Sequence, residues 1–320
     1  MPTSDRQPMK LRPHVSEAVW GGHRLAQDYG IDPQGRANTA EAWVLSAHPR
    51  GASTVDTGPF AGQTLERLFA ERPELFGAHC AGKERFPIIV KLLDARDDLS
   101  IQVHPRDNDP VLLPGEAGKT ECWYILEAPP GAKLYLGFRE AITRAQFAAA
   151  IENKTIMGYV QSFEVEEEDF YFIPAGTLHA IGEGVLLAEV QQSSDTTYRV
   201  YDYNRLQNGQ PRELHVEQAR VVTDLLPYEP PRQKWGLFGT KHLCECEYFT
   251  VEERDARFGF SEEAGDESFV HLLILEADKG AKLEWDDIET PIAKGDSILV
   301  PAGAGKFSVD GDVRVLVTSV

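Results

Sequence analysis

The chain has 320 residues, enough to bury a sizeable core in one large domain or two smaller ones. Its 42% hydrophobic content marks a globular chain, and no apolar run approaches the roughly eighteen residues of a membrane-spanning helix. A formal net charge of -19 argues against a nucleic-acid partner and against an anionic membrane surface, both of which call for a basic patch.

The chain opens on Met1-Pro2-Thr3-Ser4-Asp5-Arg6, which leads into no apolar signal core, so a cytoplasmic location is expected. Most of the remaining chain consists of short β-branched and aromatic runs broken by Gly, Pro and Asp. That pattern predicts a mainly β architecture of barrel or sandwich type. Residues 63–76 carry Leu65, Leu68 and Phe69 at helical spacing and predict a helix. In the segment 99–105, Leu99, Ile101 and Val103 fall on one face of a strand and Ser100, Gln102 and His104 on the other. Such a polar face is either solvated surface or the wall of a cavity. The Ala-rich stretch 139–153 predicts a helix, and 212–222 predicts another, begun after Pro211. Residues 227–231, Pro-Tyr-Glu-Pro-Pro, are the best linker. The four cysteines do not make a disulfide scaffold; Cys244 and Cys246, with His242, are better explained as small buried thiols than as a metal site.

The chain also resembles itself. Ile125-Leu126-Glu127-Ala128 and Gly131-Ala132-Lys133-Leu134 return 149 residues later as Ile274-Leu275-Glu276-Ala277 and Gly280-Ala281-Lys282-Leu283. Asp169, Pro174-Ala175-Gly176 and Gly184 return 127 residues later as Asp296, Pro301-Ala302-Gly303 and Gly311. The change of offset means an insertion of 22 residues in the first copy, and the Ala-rich helix lies inside it. By these offsets His179 aligns with Lys306 and Glu121 with Val270. One working site in the first copy and a structural unit in the second are therefore expected.

Gln102 and His104 on one strand, Glu121 heading another, and His179 after the Pro174-Ala175-Gly176 turn collect in the first copy. Inward-facing residues of separated barrel strands meet in the interior. Two imidazoles, a carboxylate and an amide oxygen suit zinc or another borderline divalent ion. No nucleotide-binding glycine loop and no G-x-S-x-G elbow is present.

Residues 100–105, Gly118-Lys119-Thr120-Glu121, residues 173–180 and Gln191-Gln192-Ser193-Ser194-Asp195-Thr196-Thr197-Tyr198-Arg199-Val200-Tyr201-Asp202 together resemble the type I mannose-6-phosphate isomerases in their short bacterial form. The likeness starts near Val19-Trp20-Gly21-Gly22, includes Ala40-Glu41-Ala42-Trp43, and loosens over the second copy. It implies a double cupin of two jelly-roll-like β-barrels, with a catalytic domain over 1–226, a helical insertion around 139–155, and a metal-free cupin-like domain over 227–320. It further implies one Zn2+ per chain, other divalent metals being possible, held by Gln102, His104, Glu121 and His179. Arg199 and Lys119 are the implied catalytic groups. Trp20, Glu41, Lys91, Ser100, Asp195 and Arg205 are the implied substrate contacts. Arg205 stands where long-form members carry a lysine, which leaves the phosphate contacts open.

The implied partner is a small sugar phosphate, with no nucleic acid and no membrane; oligomeric state is not read from the sequence. The implied reaction interconverts mannose 6-phosphate and fructose 6-phosphate through an enediol. Two neutral imidazoles, one amide and one carboxylate leave a divalent ion about one positive charge, so it remains a useful Lewis acid for the oxygens at C1 and C2. Lys119, its pKa lowered by that cation and by burial, is one candidate base, with a histidine or a metal-bound water as the others. Arg199 either stabilises the enediolate or grips the phosphate. A cupin oxygenase using iron and a metal-stabilised sugar sensor are the rivals.

Overall fold

The protein is described from a computed structural model over residues 5–31, 38–207, 209–230, 234–235 and 239–320; the opening residues 1–4 and Pro231 of the expected linker lie outside these. Four main sheets face one another in sequence. A six-stranded sheet runs in the order Phe170–Ile173, Glu121–Glu127, Leu186–Gln192, Ile88–Asp94, Thr39–Leu45 and His14–Gly22. A five-stranded sheet, Val160–Glu164, Lys133–Phe138, His179–Ile181, Ile101–Val103 and Tyr198–Tyr201, covers one face of it. The other face packs on an eight-stranded sheet built around Thr250–Ala256, Val313–Ser319, Val270–Ala277 and Ser297–Val300. A four-stranded sheet, Phe260–Ala264, Gly305–Asp310, Lys282–Trp285 and Ile288–Pro291, closes the far side.

The duplication expected from sequence is visible strand by strand. The order Phe170–Ile173, Glu121–Glu127, Leu186–Gln192 in the first unit repeats as Ser297–Val300, Val270–Ala277, Val313–Ser319 in the second. Register repeats too: Ile173 pairs with Glu121, and Val300 pairs with Val270. One detail of the alignment is corrected. Leu134 pairs with Ile181, whereas Leu283 pairs with Val309, which is one residue further along than the sequence offset requires. The extra residue makes Phe307, rather than Lys306, the counterpart of His179. Phe307 is buried among Val270, Leu283 and Trp285, while Lys306 is exposed, so the interior of the second unit is filled by hydrocarbon where the first carries an imidazole.

The polar face of residues 99–105 is the wall of a cavity, but Leu99 leaves the apolar face expected for it and packs with Trp20 and Leu93 at that cavity. Ile101 and Val103 face outward onto a core shared with two helices, Arg144–Glu152 and Val216–Val222, through Phe147, Ile151, Ala219 and Val222. Burying each such side chain contributes about 1.5–3 kcal/mol. Ser100, Gln102 and His104 are thereby turned into the space between the five- and six-stranded sheets, and Ser100 and His104 are buried. The helix expected over 139–153 forms at Arg144–Glu152, with Thr143 and Gln146 capping its start reciprocally. The helix over 63–76 is Leu65–Glu71 followed by a short 3-10 turn. The last helix starts at Val216 rather than after Pro211, because Pro211 pairs with Leu206 in a small hairpin and Arg212 is held by Asp202.

The N-terminal strand Met9–Arg12 does not join the first unit's sheets. It pairs with Ser297–Val300 of the second unit and with Thr54–Val55, so residues from both ends of the chain share one sheet. Below it, the central core mixes Met9, Leu11 and Phe76 with Leu243, Phe269 and Leu299.

Candidate metal centre and active-site cavity

Three strands and one turn bring the expected ligands together. Gln102 pairs directly across from His179, and Glu121 heads the strand next to Gln191. The turn ahead of His179 is closed by Thr177 N–H donating to the Pro174 carbonyl at 3.1 Å, and Gly176 N–H donates to the His104 carbonyl at 2.9 Å. Gly176 takes φ +93°, a conformation that L side chains rarely adopt, which favours glycine at this junction.

His104 and His179 stand with ring centroids 4.7 Å apart. His104 Nδ1 is 2.8 Å from the Thr196 carbonyl and His179 Nδ1 is 2.8 Å from the Thr177 carbonyl. A carbonyl only accepts, so each Nδ1 carries the hydrogen and each Nε2 keeps a bare lone pair. Each Nε2 lies 3.5 Å from an oxygen of Glu121. Burial pulls the His104 pKa well down, helped by Lys119, and pulls His179 down to about 4, so both rings are neutral. Glu121 Oε1 has no hydrogen-bond partner although it is fully buried. Among the described residues this trio is the one group of three or more His, Cys, Asp or Glu whose ligand atoms converge, all within 4.8 Å. An orphaned buried carboxylate oxygen beside two unprotonated imidazole nitrogens fits a divalent ion. Gln102 adjoins it, with Nε2 3.4 Å from His179 Nε2 and Oε1 accepting from Ser100 at 3.3 Å. His242, Cys244 and Cys246 form no such group.

A row of alternating charges runs from this centre across the sheet. Lys119 Nζ donates to Glu121 Oε2 at 2.6 Å and sits 3.2 Å from His104 Nε2. Glu189 lies 3.6 Å from Lys119 and 3.7 Å from Lys91, and Lys91 lies 3.5 Å from Glu41. Trp43 Nε1 donates to Glu41 at 2.7 Å, Trp123 Nε1 to Glu189 at 2.9 Å, and Lys91 stacks 4.5 Å above the Trp43 ring. Burial pulls the Lys119 pKa down, but Glu121 and Glu189 outweigh it, and the net direction is up. The flanking carboxylates alone thus hold the ammonium, whereas the lowering expected from sequence rests on a cation bound beside it. Three carboxylates against two ammoniums leave the row with one net negative charge, which a divalent cation reverses.

Above the row opens a cavity of about 410 Å³. Trp20, Glu41, Lys91, Ser100, Gln102, Lys119, Asp195 and Arg199 all line it, as expected. Arg205 does not. Its guanidinium is bound to Asp202 at 3.2 Å and to the Asp98 carbonyl, and stacks on Tyr203. Arg212 reaches the lining instead, fixed by two 2.6 Å hydrogen bonds to the same Asp202. Arg50, 2.7 Å from Asp195, adds another guanidinium at the rim. Burial lowers the Arg199 pKa, with neighbouring Arg212 adding to it. Sequence reasoning missed Glu189, Arg50, Arg212 and His215. Glu189 carried a usable signal, a lone charge inside the apolar strand Leu186–Gln192; the others carried none.

Comparison with known proteins agrees with this geometry. Residues 9–123 match the family described as phosphomannose isomerase type I, catalytic domain, and residues 239–320 match the mannose-6-phosphate isomerase cupin domain. The chain is 36% identical to the mannose-6-phosphate isomerase ManA of Bacillus subtilis over 98% of both chains. It is 34% identical to the mannose-6-phosphate isomerase of Streptococcus mutans over 97% of both. A crystal structure of a Bacillus subtilis mannose 6-phosphate isomerase superposes with a TM-score of 0.88 at 36% identity, covering 98% of this chain and 99% of the other. These relatives carry the isomerase activity rather than that of the oxygenase or sensor rivals.

Proposed function

The chain belongs to the type I mannose-6-phosphate isomerases, and on that premise we propose how its residues divide the work of interconverting mannose 6-phosphate and fructose 6-phosphate. The enzyme is a metal-dependent aldose-ketose isomerase of the cupin class. We assign its metal ligands to His104, Glu121, His179 and Gln102, the metal to Zn2+, and the count to one per chain. What supports this is the pair of buried imidazoles, each locked by a backbone carbonyl with an unprotonated Nε2 near Glu121, one of whose oxygens is orphaned. When bound, the ion supplies positive charge for the oxygens at C1 and C2 as an enediol forms.

The remaining chemistry falls to the side chains around the cavity. Lys119, placed between the ligand group and Glu189, is proposed to carry the proton between C1 and C2. Arg199 is proposed to balance enediolate charge from the cavity wall, with Ser100, Trp20, Glu41, Lys91 and Asp195 positioning the sugar. Arg212, rather than Arg205, is proposed to face the phosphate, with Arg205 acting through the Asp202 they share. A chain of net charge -19 thus offers its anionic substrate a local guanidinium cluster.

Residues 1–226 are proposed as the catalytic unit, with the helix Arg144–Glu152 as its insertion, and 227–320 as a metal-free cupin-like unit. The strands Met9–Arg12 and Thr54–Val55 are the first unit's contribution to the second unit's sheet. A cytoplasmic location is proposed, with no nucleic-acid or membrane partner; among the described residues no helix is long and apolar enough to cross a membrane. The test is metal analysis of unsupplemented protein together with a coupled assay for fructose 6-phosphate from mannose 6-phosphate. About one zinc per chain, with turnover lost on chelation and restored by Zn2+, is expected; restoration by another metal alone would overturn the zinc assignment.

A further inference from the structure

The segment between the strands Ile101–Val103 and Glu121–Glu127 starts at His104 and ends with Lys119 and Thr120. Its two ends are tied side by side. Lys119 N–H donates to the Pro105 carbonyl at 3.0 Å, and Gly118 N–H donates to Asp107 Oδ1 at 2.7 Å. Asp107 Oδ2 accepts two further hydrogen bonds, from Gln192 Nε2 at 3.1 Å and from the Tyr248 hydroxyl at 3.1 Å. Gln192 Oε1 in turn accepts from Thr120 N–H at 2.8 Å. One carboxylate therefore gathers both neighbours of Lys119, Gly118 directly and Thr120 through Gln192.

Tyr248 comes from the second unit. It sits in the turn between the strands Thr240–Glu245 and Thr250–Ala256, which is closed by Cys246 N–H donating to the Phe249 carbonyl at 3.0 Å. Phe249 is buried in the central core, and Tyr248 packs against that core partly buried. Burial, with Asp107 beside it, pushes the Tyr248 pKa up to about 12, so the hydroxyl keeps the proton it donates. A turn fixed in the second unit thus ends on the carboxylate that holds the first unit's segment.

We infer that Tyr248 is a positioning residue for the isomerisation: its hydroxyl steadies Asp107, and Asp107 sets where Lys119 stands between Glu121 and Glu189. This builds on the assignment of Lys119 as the proton carrier. The second unit, proposed to hold no metal, thereby bears on the proton-transfer step.

The experiment measures kcat, KM for mannose 6-phosphate and metal content in the full-length, metal-loaded protein. Tyr248→Phe removes one oxygen and keeps the ring. It is expected to lower kcat about 3- to 10-fold, with KM and metal content unchanged. The change stays this small because Asp107 is exposed and water takes the place of the lost donor. Asp107→Ala is expected to lower kcat further, and adding Tyr248→Phe to it to change nothing more. Lys119→Met is expected to abolish turnover. Wild-type kcat in Tyr248→Phe, a raised KM in place of a lowered kcat, or an equal loss when Asp107 is already absent would overturn the positioning role, while an inactive Lys119→Met keeps Lys119 as the proton carrier. Turnover persisting in Lys119→Met would remove that assignment and the role of Tyr248 with it. Tyr248→Phe decides even if Asp107→Ala fails to fold.

Discussion

His215 holds the backbone of Arg199 from both sides: Arg199 N–H donates to His215 Nδ1 at 3.2 Å, and His215 N–H donates to the Arg199 carbonyl at 2.8 Å. His215 also begins the helix Val216–Val222, so the guanidinium at the cavity wall is referenced to a packed helix rather than to its short strand alone. His215→Ala removes one of the two bonds and the ring beside Tyr198. A drop in kcat of about 10- to 100-fold is expected, with metal content unchanged, because small misplacements of a charged group cost that much. Wild-type kcat in this variant would show that Arg199 needs no such brace.

Metal content separates the two copies. His179→Ala is expected to fall from about one metal per chain to a small fraction after dialysis, since three donors no longer converge. Phe307→Ala, the change at the matching place in the second unit, is expected to keep its metal and instead lose about 3–5 kcal/mol of stability. Lys306→Ala, on the exposed side of the same strand, is expected to alter neither. Metal loss from Phe307→Ala or Lys306→Ala would contradict a single centre.

Arg212 and Arg205 share Asp202 but only Arg212 lines the cavity. Arg212→Ala is expected to raise KM for mannose 6-phosphate about 10- to 100-fold, the worth of a charge-assisted contact to phosphate. Arg205→Ala is expected to raise it less. Equal KM values in the two variants would remove the distinction.

Acid sensitivity should trace in part to His271, which is fully buried in the second unit. Its Nε2 bonds to Ser297 Oγ at 2.8 Å, and Ser297 in turn donates to the Val44 carbonyl, so the ring donates and Nδ1 is left without a partner. Burial lowers its pKa to about 3. The unfolded chain binds this proton near pH 6.5 and the folded chain does not. Stability is therefore fully present above pH 6.5 and is lost as pH falls, by about 1.4 kcal/mol per unit down to about pH 3. Urea unfolding at pH 7 and pH 5 should show His271→Leu losing about 2 kcal/mol less than wild type over that interval. The same slope in both proteins would assign the sensitivity elsewhere.

How much the sequence reveals depends on the range of each signal. Alternation over residues 99–105 announced two faces, and the repeat announced which copy keeps its ligands, because both are patterns within a few residues or at a fixed offset. Which face turns inward is decided by the helices Arg144–Glu152 and Val216–Val222 packing on Ile101 and Val103, which no local pattern encodes. The slip that makes Phe307, in place of Lys306, the counterpart of His179 lies in one extra residue between two similar turns and surfaces only as hydrogen-bond register. Arg212 and Arg205 are alike as residues, and it is the tether to the Asp98 carbonyl and the stacking on Tyr203 that hold Arg205 away from the cavity.

The strand Met9–Arg12 sets a schedule for synthesis. Met9 finds its partner Leu299 only after nearly the whole chain has left the ribosome. Until then an early-made strand with Met9 and Leu11 on its apolar side has only Thr54–Val55 to pair with, and closing so distant a contact as Met9 with Leu299 is slow. The first unit consequently cannot complete its share of the common core cotranslationally, and a nascent chain stalled before residue 297 should expose that strand to chaperones or to pairing with a neighbour's edge. Completion of the shared core thus waits on a strand made near the end of synthesis.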